Sequence, residues 1–411
     1  MVARGLMPVF YLIAGEPSGD RLGAALMAGL KTLVPDVQFY GVGGPQMQAQ
    51  GLQSQFPMQE LSVMGIAEVL PKYFALKRRI TECADAVVKL HPDALITIDS
   101  PDFCLRVARL VKAASQIRTI HYVAPTVWAW RPNRAWKMAE VIDHVLALFP
   151  FEPPYMKAVD MGCSFVGHPV VAEPQATATE AKAFRLANGI AQGVPLVLAL
   201  PGSRRGEVAR LAPRFGRTLR RVLIRHPKAR VIVPTVDCLF DLVSELTADW
   251  PGDPIVLRAG NPPTDAPAKA AAFAAADVAL AASGTVSLEL AASRTPMVIG
   301  YDMAWLSRLI ISRMVRLDTV TLVNIISNTR TVPEFLGADC QPERMAPAVL
   351  SLMEPGPLRD AQMAAMALTL ERLGQGGAAP GLRAAQAVLA VIAQDAGRSG
   401  GSNPAGSLKK S

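Results

Sequence analysis

Short, uniformly apolar runs alternate along the chain with longer stretches in which apolar residues return every three or four positions. Val9 to Ile13, Phe39 to Val42, Ala94 to Ile98, Thr119 to Val123 and Val145 to Leu148 have the length and content of buried strands. Leu22 to Leu33, Ile66 to Leu90 and Phe103 to Ala114 carry the helical period between them. Strands that are apolar on both faces and separated by helices predict a parallel sheet covered on both sides. The pattern breaks at Val166 to Pro174, where Gly167, Pro169 and Pro174 interrupt it, and then restarts. Leu196 to Leu200, Val231 to Pro234, Ile255 to Leu257, Val278 to Ala281, Met297 to Ile299 and Val320 to Val323 form the second set of strand candidates. Two such series predict two doubly wound α/β domains. Residues 343 to 394 read as helical throughout, and the Gly-, Ser- and Lys-rich end reads as disordered.

Composition narrows this picture without changing it. The 411 residues are 51% hydrophobic and 18% charged, which excludes a disordered chain and supplies two cores. Apolar stretches such as Val194 to Leu200 are too short to cross a bilayer, and Ala270 to Ala282 is interrupted by Asp277. The first apolar run leads straight into a glycine-rich turn, so no cleaved signal is expected. Basic residues outnumber acidic ones by 42 to 34, a balance that suits anionic partners. The five cysteines are scattered and never form a CxxC, which argues against a disulfide framework or zinc knuckle and fits a reducing cytoplasm.

In a parallel sheet, ligands bind beyond the carboxyl ends of the strands, so the turns there hold the candidate chemistry. The first is Ala14-Gly15-Glu16-Pro17-Ser18-Gly19-Asp20, where Ser18 or Asp20 could equally be a helix cap. The second is Asp99-Ser100-Pro101-Asp102, two carboxylates suited to acid or base work, of which Asp102 fits a cap better than Asp99 does. The stretch from His121 to Lys137 holds Trp128, Trp130 and Trp136 among Arg131, Arg134 and Lys137. Such a stretch can stack on nucleic acid, but a packed loop lining a pocket is the plainer reading, and no nucleic-acid partner is expected.

Two later turns suit a diphosphate. Gly202 and Ser203 offer backbone donors beside the fixed cation of Arg204. Ser283-Gly284-Thr285 opens a helix whose first N–H groups face an anion, and Glu289, one turn on, could accept from a ribose diol. The Gly41-Val42-Gly43-Gly44 spacing is wrong for a dinucleotide loop, and no GxxxxGK[ST] occurs. Without a DxD or HExxH, no metal or other cofactor is expected, and the diphosphate charge falls to Arg204 and helix N-termini.

Taken together, the segments AGEPSGD (14–20), GVGGPQM (41–47), VMGIAEVLP (63–71), IDSPDF (98–103), HYVAPTVWAWR (121–131), FPFEPPY (149–155), FVGHP (165–169), LPGSRRGEV (200–208), ASGTVSLE (282–289) and TLVNII (321–326) resemble the lipid-A-disaccharide synthase family. These are inverting glycosyltransferases of the GT-B type, with two Rossmann-like domains facing a cleft. The resemblance implies an acceptor-side, membrane-contacting domain over 1–170 and a UDP-sugar domain over 171–345. It also implies C-terminal helices over 346–395 packing back on the N-terminal domain, and a disordered tail over 396–411. The implied reaction moves diacylglucosamine from UDP to the 6-hydroxyl of diacylglucosamine 1-phosphate, giving a β-1,6 disaccharide. Asp99 matches the family's proposed base, Arg204 its important arginine, Asn324 the asparagine of its late motif and Ser18 the serine of its first turn. Gly337 stands where the family commonly has Gln, which removes any donor contact from that side chain. The C-terminal helices also permit a homodimer.

Acylated substrates imply work at the cytoplasmic face of the inner membrane. Ile66, Val69, Leu70, Tyr73 and Phe74 form an apolar helical face beside Lys72, Lys77, Arg78 and Arg79, suited to anionic headgroups. Pro71 interrupts that helix pattern. A second candidate is Trp305 to Arg316, and either face could instead pack on its own sheet. Two other functions use the same features. A UDP-sugar epimerase of the same fold would need the UDP turns but no lipid acceptor, and a non-enzymatic binder would leave Asp99 as a cap.

Overall fold

The computed structural model of the chain describes residues 7–61, 66–125, 133–258, 266–302 and 318–399. Contacts divide it into two compact units, one formed by residues up to 169 together with those from 376 onward, the other by residues 170–375.

The first unit is built on a seven-stranded parallel sheet in the order β3-β2-β1-β4-β5-β6-β7. Its strands are β1 (Val9–Ala14), β2 (Gln38–Val42), β3 (Gln53–Ser54), β4 (Ala94–Ile98), β5 (Arg118–Tyr122), β6 (His144–Ala147) and β7 (Gly162–Phe165). The helices between them are α1 (Pro17–Leu33), α2 (Pro45–Ala49), α3 (Ile66–Leu90), α4 (Pro101–Ala114), α5 (Asn133–Ala139) and α6 (Pro153–Lys157). Every residue of β4 is buried, as a central strand covered on both faces requires. Helix α4 shows how the covering works: Phe103, Cys104, Val107, Ala108 and Val111 recur at helical spacing and are all buried. Strands β3 and β7 escape the apolar pattern because one has two residues and the other, Gly-Cys-Ser-Phe, is a half-buried edge. Pro71 lies inside α3 without ending it. It removes one backbone bond, and the buried face of Ile80, Cys83, Ala84 and Val87 holds the helix despite that loss.

The second unit has a six-stranded parallel sheet in the order β10-β9-β8-β11-β12-β13. The strands are β8 (Leu196–Leu200), β9 (Arg230–Thr235), β10 (Ile255–Arg258), β11 (Val278–Ala281), β12 (Met297–Tyr301) and β13 (Glu334–Leu336). Its helices are α7 (Ala178–Ala187), α8 (Arg205–Arg225), α9 (Phe240–Thr247), α10 (Ala266–Ala275), α11 (Val286–Ala292), α12 (Leu322–Ser327), α13 (Pro342–Met353) and α14 (Pro357–Arg372).

Two expectations fail here. Val320 to Val323 is not a strand, because Leu322 opens α12. The Glu334 carboxylate binds the N–H groups of Val320 and Thr321 just before the helix, a tertiary cap that apolar periodicity does not report. The helical run 346–395 does not pack back as a whole. Helices α13 and α14 belong to the second unit, and only α15 (Pro380–Ser399) joins the first. The division falls at Gly374 and Gly376, both with positive φ, where the chain can turn sharply. Of the tail expected to be disordered, 396–399 belongs to α15 and 400–411 lies outside the described residues.

Helix α15 docks on α1 through glycine. A Cβ on Gly29 would lie 2.5 Å from the Gly381 carbonyl oxygen, and one on Gly381 would collide with the Ala25 carbonyl. Neither residue has a side chain to hold the backbones apart, so they approach closely.

The first sheet also buries a polar pair. Thr97 and His121 are register partners on β4 and β5, and Thr97 Oγ1 lies 2.7 Å from His121 Nδ1. Burial pushes the imidazole down from the ordinary 6.5 to about 4, so it is neutral at physiological pH.

Gly29→Ala is expected to lower stability by about 1–3 kcal/mol through overpacking, read as the midpoint of urea unfolding. His121 gives an expected pH dependence. Between pH 6.5 and 4 the unfolded chain takes up a proton that the folded imidazole refuses, so stability falls with pH in that window. The loss is about 3 kcal/mol for a shift of this size. Urea unfolding at pH 7, 5.5 and 4.5 should show the decline, with a shallower slope in His121→Gln.

Candidate active site

The turn after β1 is fixed by Asp20. Its carboxylate is 2% exposed and accepts from the backbone N–H groups of Gly44, Gln46 and Met47 at 2.9, 3.0 and 3.0 Å. Asp20 therefore caps the neighbouring helix α2 rather than its own helix. Ser18 is left exposed in the first turn of α1. Gly15 brings this turn against the turn after β4: a Cβ there would lie 2.5 Å from Ser100 Oγ. The first two candidate turns are thus in contact.

Asp99 sits at that junction in a constrained backbone. Its φ is +52° and that of Ser100 is +45°, two successive non-glycine residues in the left-handed region. Such positions cost of order 1–3 kcal/mol each and persist where the surroundings enforce them. The enforcing bond is Asp99 N–H to the Tyr122 carbonyl, 3.0 Å, at the end of β5. The next residue, Val123, has φ +86°, a rarer state still for a β-branched side chain. Asp99 is half-buried, and its charge adds to burial in raising the Cys104 thiol. Asp102, by contrast, is exposed in the first turn of α4.

The later motifs of this unit also converge. The Phe149 ring stacks on Phe151 at 5.4 Å and on His168 at 5.6 Å, joining FPFEPPY to FVGHP. His168 is held down at about 4 by burial and by the nearby Arg21 guanidinium. Of the sequence candidates for membrane contact, Phe74 is 80% exposed. The side chains of Ile66, Val69, Leu70 and Tyr73, and the whole of Trp128 to Arg131 and Trp305 to Arg316, lie outside the described residues.

In the second unit the two diphosphate turns line one cavity of about 210 Å³. Gly202, Ser203, Ser283, Gly284, Thr285 and Glu289 all border it. Gly202 has φ +123°, and Glu207 Oε2 accepts the Ser203 N–H at 3.3 Å, so the turn is held open by its own helix. Gly284 has φ +154°, with no atom within 4 Å of a would-be Cβ, which leaves the backbone accessible. Arg204, next to Ser203, does not itself line the cavity; its side chain is 76% exposed and lies 3.7 Å from Glu207.

Glu289 pairs with Lys269 at 2.5 Å, and that ammonium also lies 5.3 Å from the Phe273 ring centroid. Sequence reasoning missed Lys269, Phe273 and Thr235, which also line the cavity. Lys269 could have been noticed as the one charge in the alanine-rich run APAKAAAFAA, one turn before Phe273. Thr235 Oγ1 is buried with no hydrogen-bond partner among the described residues, a cost unless a partner arrives.

Asn324 is not in this cavity. It is 1% exposed, its Nδ2 donates to the Val332 carbonyl, Thr319 Oγ1 and Glu334 Oε1, and its Oδ1 accepts the Val332 N–H. Its side chain clips the 319–334 segment shut. Gly337, where a Gln was the alternative, takes φ +59°, a backbone state that favours glycine.

Comparison with known proteins agrees with this arrangement. A family model described as lipid-A-disaccharide synthetase matches residues 10–378. Among curated relatives, the lipid-A-disaccharide synthase of Ruegeria pomeroyi is 64% identical over 386 residues, covering 93% of this chain and 95% of that one. That of Rhodospirillum centenum is 48% identical, covering 93% and 94%. A solved structure of a putative UDP-N-acetylglucosamine 2-epimerase from Listeria monocytogenes superposes with TM-score 0.62, covering 95% of this chain and 97% of that one. At 12% identity this last likeness is one of fold alone, the two-domain Rossmann-like α/β architecture. The epimerase reading therefore has fold in its favour and no more, whereas the match of family and relatives runs through both units: the chain belongs to the lipid-A-disaccharide synthase family, glycosyltransferases of lipid A biosynthesis.

Proposed function

We propose that this chain transfers 2,3-diacylglucosamine from UDP to the 6-hydroxyl of 2,3-diacylglucosamine 1-phosphate. The observation that carries the reading is Asp99, a half-buried carboxylate held at a strand end by enforced left-handed backbone. In the reaction Asp99 takes the proton of the acceptor hydroxyl as its oxygen attacks the donor's anomeric carbon. The bond from that carbon to the UDP oxygen breaks, the centre inverts and UDP leaves. A positioned base of this kind contributes about 10²–10⁴-fold.

The leaving diphosphate meets the backbone of the Gly202–Ser203 and Ser283–Thr285 turns and the Arg204 cation. Glu289 accepts from the ribose diol and Lys269 holds it in position. Thr235 offers its unpartnered hydroxyl to the nucleoside. Ser18 is assigned to the donor by its match to the family's first-turn serine alone, and Asn324 acts through the segment it clips. Nucleotide-sugar binding is also what the names of fold neighbours describe, one of them bound to UDP-N-acetylglucosamine.

Acylated substrates call for a peripheral enzyme on the cytoplasmic face of the inner membrane. Among the described residues no helix is long and apolar enough to cross a membrane. The exposed Phe74, with Lys77 and Arg78 exposed just after it on α3, suits a shallow anionic contact.

Purified protein is expected to form disaccharide only when both lipid substrates are present. Asp99→Asn should lower kcat by at least about 10²-fold and leave UDP binding unchanged. Turnover of that variant within a few-fold of the parent would move the role to Asp102. For the membrane, Phe74→Ser should weaken co-sedimentation with phosphatidylglycerol vesicles, and added salt should release only part of the parent protein, since apolar insertion is not screened. Unchanged sedimentation of the variant would take α3 out of the contact.

A further inference from the structure

The closing helix carries a charge that no step above uses. Arg383 lies in the first turn of α15, and its position is set twice. Two residues before it, Gly381 is pressed against the Ala25 backbone and Gly29 of α1. On its other side, its Nη2 donates to the Phe165 carbonyl at 3.2 Å, and its guanidinium lies 4.9 Å from the centroid of the Phe165 ring. Among the described residues that carbonyl is its one hydrogen-bond partner, so most of its five N–H groups remain available. Phe165 ends β7, so Arg383 stands at the carboxyl edge of the first sheet, the edge that also carries Asp99.

A second cation comes to the same place. Arg21 is exposed on α1, one turn before Ala25 and two before Gly29, on the face that α15 covers. It is close enough to His168, three residues beyond Phe165, to resist that ring's protonation. Burial raises the Tyr122 phenol, and Arg383 is near enough to oppose that shift in part; the Tyr122 carbonyl holds Asp99. The two arginines thus bracket the segment that follows β7. From Asp99 at β4 to that segment the sheet advances three strands, roughly 14 Å. An aspartate, one hexose 1-phosphate and an arginine can bridge this span.

We propose that Arg383, with Arg21 beside it, binds the phosphate monoester of the acceptor sugar. The inference rests on the reaction proposed above, since it needs an acceptor that carries a phosphate. The guanidinium fork matches phosphate geometry, and a phosphate anchored there points the far end of the sugar, with its 6-hydroxyl, toward Asp99. The last helix of the chain is then part of the acceptor site and not only a cover for α1.

The test is a cycle of two enzymes and two acceptors. kcat/KM for the acceptor is measured for the parent chain and Arg383→Ala, with diacylglucosamine 1-phosphate and with the same sugar lacking the phosphate. Arg383→Ala should lose roughly 10- to 100-fold on the phosphorylated acceptor. It should match the parent on the other, with the KM for UDP-diacylglucosamine unchanged. Arg383→Lys should recover part of the loss, and Arg21→Ala should show the same dependence on phosphate. Equal losses on both acceptors would make Arg383 a structural residue, and no loss on either would remove it from the site. If Arg383→Ala does not fold, Arg21→Ala decides between the same outcomes. Parent protein that forms no disaccharide from the phosphorylated acceptor would overturn the reaction itself, and this site with it.

Discussion

One buried carboxylate sets the geometry of the first unit. Asp20 satisfies three backbone N–H groups at the start of α2, and with them fixes the turn after β1. Hydrogen bonds to a charged acceptor at such a site exceed ordinary ones in strength, and a buried carboxylate cannot be left without them. With that turn fixed, Gly15 lets Ser100 approach, and Asp99 is held one residue away in a backbone state it would not choose alone. The strain at Asp99 and Val123 is thus sustained by bonds made elsewhere on the same edge. Asp99 is the dependent member of this arrangement, and the capping carboxylate of Asp20 is the independent one.

In the second unit the two strand-end turns proposed to meet the diphosphate are held by acids with close counter-charges. Glu207 occupies the Ser203 N–H, lies near Arg204 and accepts from the Tyr301 hydroxyl at 3.4 Å. Burial and the Glu207 carboxylate together raise the Tyr301 phenol, so it stays a donor. Glu289 has its own counter-charge in Lys269. Both acids carry counter-charges ready to be shared, which limits the reorganisation that ligand binding requires.

Much of this could be read from the chain and some could not. Mostly apolar runs gave ten of the strands because strands of a parallel sheet covered on both faces are rich in apolar residues. They missed β3, β7 and β13, which are short or half-exposed, and they mistook the opening of α12 for a strand. Strand-end turns picked out six residues that line one cavity of the second unit, since the parallel sheet sends all such turns to one edge. Periodicity had no means of showing that Asp20 caps a different helix, or that Asn324 is spent on its own loop. Those roles depend on partners far off in sequence. Lys269 and Thr235 were missed for the same reason.

The route of the last helix has a consequence for biosynthesis. Helix α15 completes the first unit, yet it leaves the ribosome after the entire second unit. During translation the close-packing face of α1 at Ala25 and Gly29 has no cover, while the second unit already has all of its strands. The order of domain completion is therefore the reverse of the order of synthesis. The nascent first unit is the species most exposed to misassembly and most dependent on being shielded until the chain is released.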